Sequence, residues 1–170
     1  MRALLAQDTA ARDWRHPADG RTPLGAAAAA DQVEALDALL EAGAAVDPVD
    51  ETGGCTPLLL AVVEGAERCV GRLLKAGADP NLADAEGLTP LMQAAVSGGK
   101  AAGCVQALLG SGARIDAAHG ASGVTARELA GLQGHGRVVE MIDGELNARK
   151  LNESLKMEKI AREAAEKARA

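Results

Sequence analysis

Aromatic side chains are almost absent from this chain of 170 residues, which has no Phe, no Tyr and a single Trp, Trp14. A hydrophobic core must then be built from Ala, Leu and Val, which favours small, closely stacked helices over a globule with a bulky centre. The three cysteines are an odd number and widely spaced, so they indicate neither a disulfide framework nor a metal-ligand pair. The three histidines do not approach metal-ligand spacing either. No apolar run approaches the roughly 18 residues that a membrane-spanning helix needs.

The chain also lacks an excess of positive charge: 18 Lys and Arg against 24 Asp and Glu give a formal net charge of −6. An acidic chain of this kind has no basic footprint for nucleic acid. The N-terminus carries one Arg and only a three-residue apolar run, Ala3-Leu4-Leu5, so the sequence predicts no secretory signal. We therefore expect a cytoplasmic protein in a reducing compartment, with no nucleic acid, membrane or small-molecule substrate among its partners.

The triplet Thr-Pro-Leu occurs three times, beginning at Thr22, Thr56 and Thr89, and a degraded copy begins at Thr125. These threonines are 34, 33 and 36 residues apart. Self-similarity at a period near 33 residues indicates a stack of repeated supersecondary units. Such a stack favours binding over catalysis, since it has no single central site.

The residues of each unit predict a helix, a short loop, a second helix and a hairpin-like turn. Thr is a favoured N-cap residue, and Pro is well tolerated at the first helical position. Thr125 and Glu128 form the pattern of a capping box, so the fourth unit also begins a helix. A glycine follows the second helix of each of the first three units, where a left-handed C-cap is expected: Gly43, Gly77 and Gly112.

The second unit shows how closely the pattern resembles the ankyrin repeat. The residues that carry the resemblance are Gly54-Cys55-Thr56-Pro57-Leu58, Gly65, Val70, Leu73-Leu74 and Gly77-Ala78-Asp79-Pro80-Asn81. The resemblance covers about residues 18–143 and implies an all-α ankyrin-repeat solenoid of about four repeats. We expect residues 1–17 to be a partial N-terminal capping unit and residues 144–170 to be a C-terminal helical extension.

The C-terminal segment differs in charge from the rest of the chain. Residues 144–170 contain seven Lys or Arg and five Glu, a net charge of +2, whereas residues 1–143 carry −8. Residues 152–169 contain no Gly or Pro, and at about 100° per residue Met157, Ile160 and Ala164 fall on one side of a helix. Heptad spacing is not sustained, so a long coiled coil is not predicted. Two alternatives stay open: the helix docks on a partner, or it is solvated and frayed.

No catalytic, cofactor-binding or metal-binding residues are predicted, and we expect no enzymatic activity. Gly98-Gly99-Lys100 is not a phosphate loop, because Ala94 stands where the opening Gly should be and Ala101 follows the Lys. Cys69 and Cys104 occupy the same packing position in successive units, which predicts inert buried thiols. Cys55 lies in a turn, where an exposed thiol is expected, but no base lies near it in sequence.

The resemblance implies that a protein partner lies against the turn tips and the inner face of the first helices. Carried over by position, that surface contains Glu51, Thr52, Cys55, Val63, Glu64, Ala85, Glu86, Leu88, Val96 and Ser97. Val63, Leu88 and Val96 would form an apolar strip with an acidic rim, as protein interfaces often have. The alternative is that these are ordinary exposed residues of a helix face. Trp14 is expected to cover the open end of the stack, with partner contact as the alternative.

These observations predict a non-catalytic adaptor that binds one or more proteins. The difference in charge and the amphipathic tail favour a small scaffold subunit of a larger assembly, such as a cytoskeletal or ciliary complex. The alternative is a regulatory subunit that binds an enzyme and inhibits or targets it.

Overall fold

The computed structural model describes residues 14–120 and 122–169, and this part of the chain consists of short helices in pairs. The first helices of the four repeats are α1 (Pro23–Ala29), α3 (Pro57–Glu64), α5 (Pro90–Ser97) and α7 (Ala126–Leu132). The second helices are α2 (Val33–Glu41), α4 (Glu67–Lys75), α6 (Ala102–Gly110) and α8 (Gly136–Arg169). Within the described ranges no strand forms, and Ala118 and Thr125 make an isolated antiparallel bridge.

Each first helix begins at the threonine that the sequence identifies as its N-cap. The hydroxyls of Thr22, Thr56, Thr89 and Thr125 each accept a hydrogen bond from the N–H three residues later. The predicted capping box is present as well, since the carboxylate of Glu128 accepts a hydrogen bond from the N–H of Thr125 at 2.8 Å. A cap of this kind stabilises a helix by about 1 kcal/mol.

The repeats stack so that first helices pack against first helices and second helices against second helices. We call the first helices inner and the second helices outer. Leucines at one position of the inner helices, Leu24, Leu58 and Leu91, are fully buried or nearly so between neighbouring repeats. Residues at one position of the outer helices are buried in the same way: Leu39, Leu73, Leu108 and Ile142. Each such side chain removed from water stabilises the stack by about 1.5–3 kcal/mol, and the predicted all-α solenoid of helix pairs is confirmed.

The loop between the two helices of a repeat passes through a residue with positive φ. Gly65, Gly98 and Gly134 adopt φ values of 72°, 60° and 75°, and Asp31 takes the same position in the first repeat with φ 50°. Asp is one of the few non-Gly residues that adopt this conformation at moderate cost. In the third repeat, the two extra residues are absorbed by a 3-10 turn at Gly98–Ala101.

The C-terminal extension is not a separate helix. It continues α8, which runs without interruption from Gly136 to Arg169 and begins eight residues before the predicted domain boundary at residue 144. The physical reason is the missing C-cap: Leu146 stands in the position at which Gly43 and Gly77 end the outer helices of earlier repeats. With about 1.5 Å of rise per residue, the 34 residues of α8 extend about 51 Å.

Most of the predicted capping unit at residues 1–17 lies outside the described residues. Within residues 14–17, Trp14 is 50% exposed and packs edge-on against His16, with ring centroids 5.7 Å apart. Trp14 also lines a shallow cleft with Pro23 and Ala26 of α1. It therefore lies beside the first repeat with half of its surface still in contact with water.

Candidate protein-binding surface

The turn tips between repeats have a defined shape because aspartates hold them. In the tip at residues 50–55, Oδ1 of Asp50 accepts hydrogen bonds from the N–H of Gly53 at 2.9 Å and of Cys55 at 3.0 Å. In the tip at residues 84–88, Oδ1 of Asp84 accepts hydrogen bonds from the N–H of Glu86 at 3.0 Å and of Leu88 at 2.9 Å. Aspartate commonly organises turns in this way, so the backbone of both tips is fixed before any partner arrives.

Neighbouring tips are also joined to each other by the backbone. The N–H of Glu51 donates to the carbonyl of Asp19 at 3.0 Å, and the N–H of Ala85 donates to that of Gly53 at 2.8 Å. In the last tip, Nε2 of His119 lies 2.8 Å from the carbonyl oxygen of Glu86. The tips therefore form a continuous ladder, and such preorganisation reduces the ordering cost of binding.

The predicted contact residues lie at these tips and at the ends of the inner helices. Those that are exposed are Glu51, Thr52, Val63, Glu64, Ala85, Glu86 and Val96. Cys55, Leu88 and Ser97 are half-buried, and Leu88 packs against the hydrophobic core. The apolar strip predicted from Val63, Leu88 and Val96 is therefore carried mainly by the two valines.

Sequence analysis missed Leu132, a further apolar residue of the same surface. Leu132 lies seven residues after the N-cap Thr125, as Val63 and Val96 lie seven residues after theirs, and Ala29 has this position in the first repeat. Val63 and Val96 are each 38% exposed, and Leu132 is 78% exposed because no described repeat follows it. We call Ala29, Val63, Val96 and Leu132 the inner-face column. The fourth repeat already aligns on Thr125, and carrying the position of Val63 and Val96 over to it would have identified the last member of the column.

Some of the charged residues of these repeats are paired and others are not. Arg21 lies 3.8 Å from Asp50, Lys100 lies 3.1 Å from Glu64, and Arg127 pairs with Asp143 through both guanidinium and carboxylate atoms. Arg68 and Arg137 are exposed and form no salt bridge with a described residue. Glu51 and Glu86 form no salt bridge with a described residue and are exposed. Unpaired charges of both signs are therefore exposed on these repeats, and the acidic rim stays a prediction.

The thiols offer no activated nucleophile. Burial raises the pKa of Cys55, and the neighbouring carboxylate of Asp50 raises it further. Burial likewise raises the pKa of Cys69 to about 12 and that of Cys104 to about 11. Both of these side chains are fully buried, as their common position predicts. All three thiols are therefore protonated near neutral pH, and a protonated thiol is a poor nucleophile and metal ligand.

Among the residues that the structure describes, no group of His, Cys, Asp and Glu side chains is placed to hold a metal ion. The described helices also include none with the length and apolar character required to cross a membrane.

A second exposed surface lies on the last part of α8. The predicted residues Met157, Ile160 and Ala164 are exposed, the first two at 66% and 58%. Leu151 and Leu155, which the prediction omitted, are 61% and 54% exposed. At about 100° per residue these leucines lie on the side of the helix opposite Ile160. Four large apolar side chains are thus open to solvent along the part of α8 beyond Lys150, which no described residue covers.

Comparison with known proteins identifies the repeats. A family model described as ankyrin repeats (3 copies) matches residues 1–84 and 61–150. The chain is 38% identical over 131 residues to human ankyrin repeat domain-containing protein 63, which covers 74% of this chain and 34% of that protein. It is 37% identical over 100 residues to human 2-5A-dependent ribonuclease, covering 51% of this chain and 14% of the enzyme. It is 39% identical over 89 residues to the Arabidopsis thaliana E3 ubiquitin-protein ligase KEG, covering 51% of this chain and 5% of the ligase.

The chain spans about a third or less of the length of these relatives. The similarity to the ribonuclease and the ligase involves a small part of each, so it assigns neither activity to this chain. Ankyrin repeats are in general non-catalytic modules for protein–protein interaction. With family matches that together span residues 1–150, and with the helix pairs described above, this chain belongs to the ankyrin-repeat family.

Proposed function

We propose that this chain is a non-catalytic adaptor that holds one protein at the inner-face column and turn tips and another at the exposed part of α8. The observation that supports this proposal is the presence of two separate apolar surfaces that the fold itself leaves open. Large apolar surfaces that remain exposed often mark interaction sites. The adaptor acts in the cytoplasm as a small scaffold subunit of a larger assembly, for which a cytoskeletal or ciliary complex is the class that the sequence favours.

The inner surface is suited to binding because its backbone has a defined shape and its exposed side chains include apolar ones. Its backbone is held by the aspartates and the ladder of tip hydrogen bonds, and acidic residues are predicted at the edge of its apolar centre. This combination of an apolar centre and a polar rim is typical of interfaces between proteins that also exist separately.

The surface on α8 has a different character. Beyond Lys150 the helix is exposed on all sides through Ala164, and its charged residues are of mixed sign. An isolated helix of this length is marginally stable in water, and most helical stability in proteins comes from packing. We infer that a partner covers this part of α8 and supplies that packing.

The experiment compares the proteins that co-purify with the full chain and with two variants. The first variant carries Val63→Asp and Val96→Asp, and the second carries Met157→Asp and Ile160→Asp. A control with Ala35→Asp adds a charge to an exposed position of the outer helix α2. Circular dichroism establishes that each variant is folded, and mass spectrometry identifies what each one retains.

An adaptor is expected to lose one set of partners with the first variant and a different set with the second, whereas the control loses none. The alternative function, inhibition or targeting of an enzyme by the inner surface alone, would lose its partner only with the first variant. If neither double substitution removes any protein, the adaptor proposal is wrong.

A further inference from the structure

A cleft lies between α6 and the first turns of α8. Its volume is about 490 Å³, and its apolar lining includes Leu109, Gly110, Met141 and Gly144. Leu109 is buried, whereas Gly144 is exposed and an added Cβ there would meet nothing within 4 Å. The cleft is therefore open to a side chain that arrives from outside the chain.

The exposed leucines of α8 lie on the same side of that helix as the cleft. At about 100° per residue, five residues fall within about 80° of one another: Met141, Gly144, Ala148, Leu151 and Leu155. They follow one another at intervals of three or four residues, as a row on one side of a helix does. Leu151 and Leu155 are 61% and 54% exposed, and Ala148 is exposed as well. We call this row the leucine side of α8.

The leucine side is arranged symmetrically about Ala148. Met141 lies seven residues before Ala148 and Leu155 lies seven residues after it. Gly144 lies four residues before Ala148 and Leu151 lies three residues after it. When two copies of α8 run in opposite directions with Ala148 against Ala148, Leu155 of each copy therefore meets Met141 of the other, and Leu151 meets Gly144.

A second copy thus supplies the leucines that the cleft can take and has the cleft that the leucines can enter. One two-fold axis makes both contacts twice, as in other isologous dimers. In a parallel pair, by contrast, Gly144 would face Gly144 and Leu151 would face Leu151, and both clefts would stay empty. Close packing therefore favours the antiparallel pair.

The distribution of charge agrees with this direction. Residues 144–170 carry +2 and residues 1–143 carry −8, and an antiparallel pair lays the positive segment of one copy along the repeats of the other. Arg137 and Glu140 lie at one end of the leucine side, and Glu158 and Lys159 lie at the other. Each end of the pair then gathers two cations and two carboxylates, so no net charge opposes the contact there.

We propose that two copies of this chain associate through the leucine side of α8, with the two helices antiparallel and Ala148 at the two-fold axis. Leu151 and Leu155 of each copy enter the cleft beside α6 of the other. The inference goes beyond the proposed function, whose partner on α8 is tested at Met157 and Ile160. Those two side chains lie on the other side of α8 and stay open to that partner.

Sedimentation velocity of the purified full chain over a range of concentrations tests this inference. We expect an equilibrium between monomer and dimer. Leu151→Asp with Leu155→Asp is expected to raise the dissociation constant of the dimer at least about tenfold, as loss of central apolar contacts does. The control Met157→Asp with Ile160→Asp introduces the same charges at side chains that are 66% and 58% exposed, and it should leave the dissociation constant unchanged.

A substitution at Gly144 tests the cleft itself. Gly144→Gln meets no atom of its own chain at Cβ and replaces a poor helix former by a good one, so the folded chain tolerates it. The Gln side chain occupies the space that Leu151 of the other copy needs, and the dissociation constant should rise at least about tenfold. Ala164→Gln, at an exposed residue on the other side of α8, is the matched control and should have no effect. Circular dichroism establishes that every variant is folded.

The inference is overturned if the purified chain is a monomer at every concentration. It is also overturned if the two double variants dimerise equally, or if Gly144→Gln dimerises as tightly as Ala164→Gln. A monomeric chain that loses a co-purifying protein through Leu151→Asp with Leu155→Asp would show that another protein covers the leucine side. Failure of the proposed function is a separate result, because it is read from natural partners and not from the mass of the purified chain.

Discussion

Arg149 of α8 donates a hydrogen bond from Nη2 to the carbonyl oxygen of Leu109, in the last turn of α6, at 3.1 Å. Its Nη1 donates to the carbonyl of Ala113 at the same distance, and its Nε donates to Oε1 of Glu145 at 2.8 Å. Carbonyl oxygens at the C-terminus of a helix lack regular partners and lie at the negative end of the helix dipole. Arg149 therefore caps α6 and fixes α8 to the stack, and the helix is exposed beyond it.

Replacing Arg149 by Ala is expected to lower the free energy of unfolding by about 1–2 kcal/mol, because hydrogen bonds from a charged donor are lost. The Arg149 side chain is 36% exposed, and contact with water reduces the stability that these bonds contribute. Urea denaturation measures the change. Arg149→Lys keeps the positive charge but loses the planar guanidinium group, so its free energy of unfolding should lie between those of the wild type and Arg149→Ala. Lys156→Ala, on the exposed part of α8, is the control and should stay within about 0.5 kcal/mol of the wild type. Equal stability of Arg149→Ala and Lys156→Ala would refute the capping role.

Gly98 is a position at which a side chain is poorly tolerated. Its φ of 60° and ψ of −125° are accessible in practice only to Gly, and an added Cβ would lie 2.3 Å from Nε2 of His135. The ring of His135 cannot simply move away, because its Nδ1 is 2.9 Å from the carbonyl oxygen of Ala95. Gly98→Ala is therefore expected to destabilise the protein by about 2–4 kcal/mol.

The neighbouring Gly99 provides a matched control for this prediction. It is exposed, and an added Cβ would meet nothing within 4 Å. Gly99→Ala is expected to change the free energy of unfolding by no more than about 0.5 kcal/mol in either direction. Thermal and urea unfolding of the two variants side by side measure the difference. If both glycines tolerate Ala equally, the contact between the third and fourth repeats is not as close as described.

The repeat architecture could be predicted because its signals are local. Thr56 and Thr89 start inner helices through bonds to residues three positions away, and Gly43 and Gly77 follow the ends of outer helices, so a short stretch of sequence contains each signal. The same periodic comparison identified Val63 and Val96. Leu132 was missed because the surface positions were carried over to the second and third repeats and not to the fourth.

The features that could not be predicted depend on residues far apart in sequence. Arg149 meets a carbonyl 40 residues earlier, and His135 also meets one 40 residues earlier. In the sequence, Arg149 and His135 cannot be distinguished from ordinary exposed residues, because their contacts form only when the repeats stack. The sequence does contain the signal that α8 continues past residue 144, since Leu146 replaces the glycine that follows other outer helices. The boundary was predicted there because the charge of the chain changes at that point.

The ion pair of Arg127 with Asp143 joins α7 to α8 and should make stability depend on pH. The hydrogen bonds from Arg127 hold the pKa of Asp143 below its ordinary value of 3.8. A carboxyl group with a lowered pKa in the folded state contributes stability above its unfolded pKa and loses it as the pH falls through the folded value. Asp143→Asn should therefore be less stable than the wild type at pH 7, and the difference should shrink below about pH 4.

Urea unfolding at pH 7, 5 and 3 measures this effect. A double-mutant cycle with Arg127→Gln isolates the pair, and the coupling energy should decrease over the same range of pH. Coupling that is the same at pH 7 and pH 3 would mean that Asp143 does not titrate against Arg127.

The thiols should react in an order set by burial. At pH 8, a pKa of about 12 leaves about one Cys69 in ten thousand as thiolate, and a pKa of about 11 leaves about one Cys104 in a thousand. Cys55 is only half-buried, so a thiol reagent can reach it, although its raised pKa slows the reaction. We expect the native chain to react slowly at Cys55, and at Cys69 and Cys104 only when guanidinium unfolds it. Colorimetric titration with a disulfide reagent measures this, and Cys55→Ser should remove the native reaction entirely. A fast reaction that survives Cys55→Ser would show that the outer helices open readily, because Cys69 and Cys104 can meet a reagent only when the repeats separate.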